Sequence, residues 1–90
     1  MTIRLVFPAN EKAKDYCLWI AEVMQSEFGI SKKEAVDRIN SFWRRNDLTD
    51  DDNIMYHEGP DFWAYQIYCK DTFWWNMKKE ELTPRKYEVL

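Results

Sequence analysis

The sequence predicts a mainly α fold: one helical domain over residues 1–90, built as a small bundle of three to four helices near 10–28, 31–45, 60–70 and 73–81. Three observations carry this. Apolar residues recur at three- and four-residue intervals over long stretches. The stretches open on residues that start helices, and the first closes on a glycine. Strict apolar–polar alternation, the mark of a strand, is confined to the first few residues. Ninety residues can bury roughly 60–65% of the unfolded surface, so such a domain folds alone with a modest margin.

Residues 2–7 alternate, with Ile3, Leu5 and Phe7 on one side and Thr2, Arg4 and Val6 on the other. Pro8 ends the pattern. A strand needs a partner for its backbone groups, and residues 53–57 supply the one compatible segment. The pattern fits a two-stranded pairing of 2–7 with 53–57, and fits equally an extended arm that packs without pairing.

Asn10 is placed to cap the first helix. Its apolar positions are Ala13, Tyr16, Cys17, Ile20, Val23, Met24 and Phe28, while Leu18 and Trp19 lie off that stripe. Gly29 can take the left-handed conformation that stops a helix, and Ile30 then folds back on the last turn. Ser31 and Glu34 have the spacing of a capping box, with Ile30 and Ala35 as a hydrophobic staple. The helix that follows presents Ala35, Val36, Ile39, Phe42 and Trp43 on one face. Lys32, Lys33, Asp37, Arg38, Arg44 and Arg45 take the other. Arg44 and Arg45 also suit the negative end of the helix dipole.

Residues 46–53 carry Asp47, Asp50, Asp51 and Asp52. The alternating ligands, central glycine and closing glutamate of a calcium loop are missing, which leaves a solvated acidic turn. Gly59-Pro60 opens the third helix, with proline at its first position and Asp61 in its first turn. Phe62, Trp63, Ala64, Tyr65, Ile67, Tyr68 and Cys69 make it apolar on nearly every side. Such a helix must be covered on most sides, so it is expected to be the central element, with Trp63 and Ile67 nearly fully buried. Asp71-Thr72 interrupts it. Residues 73–81 resume with Trp74, Trp75 and Met77, and Thr83-Pro84 starts a last turn through Tyr87 and Val89.

Residues 56–75 hold eight of the fifteen aromatics and the single histidine. Five tryptophans exceed what so small a core absorbs, and tryptophan and tyrosine dominate interface hot spots. The expected function is therefore a non-enzymatic protein-interaction module, with a homodimer as one form of it. Its candidate surface is His57, Glu58, Trp63, Trp74 and Trp75. The alternative is a nucleic-acid-binding or regulatory protein of helix-turn-helix type. Two helices joined by Gly29-Ile30-Ser31 have that outline, and Lys32, Lys33, Arg38, Arg44 and Arg45 would make the contacts. Charge argues against it. Residues 1–45 carry eight Lys/Arg and six Asp/Glu, net +2, whereas residues 46–90 carry five and ten, net −5. Nucleic-acid binding calls for a denser positive field.

His57-Glu58 is the pair closest to catalysis, since a carboxylate can tune a histidine base. No nucleophile or second acid is marked in the sequence, and the second histidine of a zinc helix is absent. The expected role is structural, with either side chain bonding the free N–H groups of the helix at Pro60. No cofactor or metal is expected. Cys17 and Cys69 lack metal spacing and are expected as buried, reduced thiols of a cytoplasmic protein. Met1-Thr2-Ile3-Arg4 leads into three apolar residues, too few for a signal peptide. No apolar run nears the ~20 residues that cross a bilayer.

The segment Tyr56-His57-Glu58-Gly59-Pro60-Asp61-Phe62-Trp63-Ala64 resembles a pattern in short bacterial proteins of unassigned activity: His-Glu, a variable residue, Pro, two more residues, then Trp-Ala. The resemblance covers about a tenth of the chain. It implies a small bacterial or phage-borne helical protein and favours no residue as catalytic.

Overall fold

Asn10 decides where the first helix begins. Its side-chain oxygen accepts a hydrogen bond from the Ala13 amide at 2.9 Å, which satisfies one of the free N–H groups of the first turn. In the computed structural model of the chain, which describes residues 4–90, helix α1 then runs over Glu11–Phe28. It stops at Gly29, whose φ of 66° is left-handed. Two residues on, the Ser31 hydroxyl accepts from the Glu34 amide at 3.0 Å and starts α2, Lys32–Trp43. The Glu34 carboxylate does not complete the capping box; it accepts from Arg38 Nε at 2.9 Å instead. Helix α3 spans Pro60–Tyr68, with proline in its first turn.

The core is centred on α1, not on α3 as the apolar run 62–69 suggests. Ala13, Cys17, Ile20, Ala21 and Met24 of α1 have no exposed surface, and α1 packs on both other helices. Ala35, Ile39 and Trp43 of α2 close on it, as do Ala64 and Ile67 of α3. Alanines on α1 let the neighbouring backbones approach. A nine-residue helix with a large ring at most positions cannot be wrapped on every side, so α3 keeps only Ala64 and Ile67 buried. Ile67 is 1% exposed, as expected; Trp63 is half-buried, and the expectation of full burial does not hold for it.

The expected pairing of 2–7 with 53–57 is not formed among the described residues. Residues 1–3 lie outside them, and Ile54–His57 is a 3₁₀ turn capped by Asn53. The N-terminal segment is held elsewhere. Leu48 N–H donates to the Pro8 carbonyl at 2.8 Å and Asn10 N–H to the Leu48 carbonyl at 3.3 Å, forming a single parallel bridge. Upstream, buried Asn40 of α2 accepts from Val6 N–H and donates to the Arg4 carbonyl, both at 2.9 Å. One amide side chain thus does for this arm what a neighbouring strand would do. The acidic turn is tied down too: Asn10 Nδ2 donates to an Asp51 carboxylate oxygen and Lys12 Nζ to the Asp51 carbonyl.

The predicted helix over 73–81 is also absent. Only two short 3₁₀ turns form, Trp74–Asn76 and Lys79–Glu81. The cause is a closure between the two ends of the segment. Lys70 N–H donates to the Thr83 carbonyl at 3.0 Å, Thr83 N–H to an Asp71 carboxylate oxygen at 2.7 Å, and Cys69 bridges Pro84. A straight nine-residue helix would carry its ends roughly 13 Å apart. Residues 71–82 form a closed loop instead. Beyond it the chain runs back along α3 and α2. Arg85 donates to the Gln66 and Cys69 carbonyls at the negative end of α3, and Glu88 N–H donates to Ser41 Oγ.

Candidate interaction surface

The rings of residues 62–75 join into one chain, while Tyr56 pairs apart from it with Tyr16 of α1. Trp43 of α2 meets Trp63 of α3 edge to face at 5.3 Å between centroids, and Trp63 meets Phe62 at 5.1 Å. Phe62 lies 5.7 Å from Trp74 of the loop, and Trp74 stacks on Tyr65 at 5.0 Å. Tyr65 then meets Phe28 of α1 at 4.9 Å. Trp63 and Trp74 are thus brought together through Phe62, Trp75 joins through Trp74, and His57 and Glu58 take no part.

Each ring is fixed by a second contact where it is half-buried. The Trp63 indole N–H donates to the Met55 carbonyl at 2.8 Å and that of Trp74 to Gln66 Oε1 at 3.0 Å. The Tyr65 hydroxyl donates to Glu27 at 2.7 Å. Burial first, and then that bond to a carboxylate, push the Tyr65 pKa up to about 12. Trp75 has no such anchor. It rests its edge on Trp74 at 5.5 Å and on Phe73 at 5.6 Å, and remains 55% exposed. Phe73 is 61% exposed. Sequence reasoning did not single it out; its place right after the Asp71-Thr72 break was the available signal.

His57 and Glu58 are both exposed. Neither side chain caps α3, whose first residue follows Gly59 without a side-chain bond, so the expected capping role is not seen. The Tyr16 hydroxyl reaches over from α1 and donates to the Glu58 carbonyl. Burial, followed by the nearby Glu58 carboxylate, pushes the Tyr16 pKa up to about 12.

The basic residues of α2 are largely engaged. Arg38 is buried, with its guanidinium between the rings of Tyr68 and Tyr87 at 4.6 and 4.4 Å. Its Nη1 donates to the Arg85 carbonyl at 2.7 Å. Lys33 pairs with Asp37 and Arg44 with Glu88, each at 2.8 Å. Lys32 is half-buried and Arg45 exposed. Among the described residues no group of three or more His, Cys, Asp or Glu could hold a metal ion, and no helix is long and apolar enough to cross a membrane. Cys17 and Cys69 are free and buried.

Comparison of the chain with protein-family models, with curated proteins and with solved structures finds no match.

Proposed function

We propose that this chain is a non-enzymatic, cytosolic protein-interaction module of a bacterium, and that it grips its partner with Phe73 and Trp75. The observation that supports this most is where the two rings stand. They project from a loop whose two ends are tied together, beside Trp74, which packs on Phe62 and Tyr65 of α3 and donates to Gln66. The loop's closure limits how far its backbone moves when a partner covers the rings, and exposed aromatic area is what interface anchors bury. Each buried ring removes about 150–250 Å² from water, so the pair would form the centre of a contact whose rim is polar. A second copy of the chain is one form the partner can take. The free thiols Cys17 and Cys69 suit a reducing compartment, and the bacterial assignment rests on the resemblance of residues 56–64. For the helix-turn-helix alternative, burial of Arg38 and pairing of Lys33 and Arg44 with carboxylates leave little positive surface on α2.

The test is capture from lysate of the native host by the tagged chain, with and without nuclease, beside the Trp75→Ala and Arg45→Glu variants. A protein recovered in the presence of nuclease and lost with Trp75→Ala is the expected result. A hot-spot loss of about 2 kcal/mol weakens binding roughly thirty-fold. Recovery that depends on intact nucleic acid and on Arg45 overturns the proposal.

A further inference from the structure

Trp19 differs from the other four tryptophans. Trp43, Trp63, Trp74 and Trp75 each pack against at least one other ring. Among the described residues Trp19 pairs with none, makes no hydrogen bond and stands 58% exposed in the middle of α1. Its neighbours on the helix surface are set by the three- and four-residue spacing: Asp15 lies one turn before it and Glu22 one turn after. Both are exposed, and among the described residues neither enters an ion pair. Lys12, seven residues before Trp19, has its ammonium donating to the Asp51 carbonyl and 4.3 Å from the centre of the Tyr56 ring.

From this we infer that the outer face of α1 docks a basic segment of a partner protein, with a lysine or arginine seated on the Trp19 indole between Asp15 and Glu22. Indole offers the strongest aromatic face for a cation, and carboxylates on either side both attract the charge and orient it. Among the described residues, Lys12, two turns before Trp19 on the same face, is already engaged elsewhere. A basic partner is therefore complementary to it in charge, and an acidic one is repelled. The site is on a different element from Phe73 and Trp75, and it stands whether or not those rings are an interface.

The test is a titration of ¹⁵N-labelled full chain with an acetylated octapeptide of alternating arginine and alanine, followed at the Trp19 indole N–H and the backbone amides. A control peptide carries glutamate in place of arginine. Saturable shifts centred on Trp19, Asp15 and Glu22 are expected with the arginine peptide alone. Trp19→Ala should weaken binding about five-fold or more, and the Asp15→Asn/Glu22→Gln variant should do the same while flattening the salt dependence. All three residues are exposed, so far-UV circular dichroism should show both variants folded. Shifts centred on Asp50, Asp51 and Asp52 and indifferent to Trp19→Ala would overturn the inference, as would no shift at millimolar peptide. A Trp19 resonance that moves with protein concentration alone would also overturn it, since the face would then belong to a second copy.

Discussion

At the seam of α2 and α3, Trp43, Trp63 and Phe42 meet edge to face at 5.3, 5.8 and 6.4 Å, with Arg85 lying over Phe42 at 5.4 Å. In the loop 71–82, Phe73, Trp74 and Trp75 meet at similar distances, yet two of the three stay more than half exposed. The residue types are the same. The seam has a helix on both sides of its rings and an arginine across their edge. The loop has α3 on one side, and among the described residues none covers Phe73 and Trp75 on the other. Aromatic content alone therefore says little about burial; the number of elements that can reach a ring decides it.

The contrast can be tested from its buried side outward. Ile67→Ala removes a side chain that is 1% exposed beneath the seam, and should cost about 2–5 kcal/mol in chemical denaturation. A loss below about 1 kcal/mol would mean the seam is no better packed than the loop. Arg38→Met should cost somewhat less, about 2–4 kcal/mol, since it strands the Arg85 carbonyl and the Glu34 carboxylate and opens the Tyr68–Tyr87 sandwich. Arg38→Lys should recover little of this, because an ammonium cannot serve both acceptors and stack between two rings.

Alkali sharpens the same comparison. Burial pushes Cys17 up to about 12 from its ordinary 9 and Cys69 to about 11; burial is also the leading cause for Tyr16 and Tyr65, at about 12 against 10. Above pH 9 the unfolded chain releases these protons while the folded chain keeps them. The unfolded state then binds fewer protons, so stability falls as pH rises, starting near 9 and ending near 12. Denaturation midpoints that stay level from pH 8 to pH 11 would contradict this. Trp75→Ala sits at the other extreme. It should change stability by less than about 0.5 kcal/mol while removing the partner contact.

The legible parts of this fold were those fixed by neighbours in sequence. Asn10, Gly29, Ser31 and Gly59-Pro60 set helix ends through bonds spanning three or four residues, and α1, α2 and α3 follow within about two residues at each end. Residues 73–81 read as helix from local pattern, because the closure of the loop joins Lys70 and Asp71 to Thr83, a pairing that no local pattern announces. Arg38 was read onto the solvent face with Lys33 and Asp37. Yet it stands at three- and four-residue spacing with Ala35 and Phe42, and its long apolar stem suits a slot between two rings. Asn40 left a clearer trace: a polar residue beside Ile39 and Trp43 on the buried stripe needs partners, and here they are the backbone of Arg4 and Val6. On the candidate surface, Trp74 and Trp75 could be named from composition. Their unequal exposure could not, because it depends on Gln66 and Phe62 lying beneath one and not the other.

The strap from Arg85 to Glu88 has a consequence for how the molecule is made. On the ribosome α1, α2 and α3 are complete well before Tyr87 is added, and domains generally assemble in the order in which they emerge. Until then Arg38 has neither the Arg85 carbonyl nor the Tyr87 ring, and the last carbonyls of α3 lack the Arg85 guanidinium. A nascent chain stalled before residue 85 thus carries a helical trio in which Arg38 keeps Glu34 and the Tyr68 ring but lacks the acceptor and the second ring that the strap supplies.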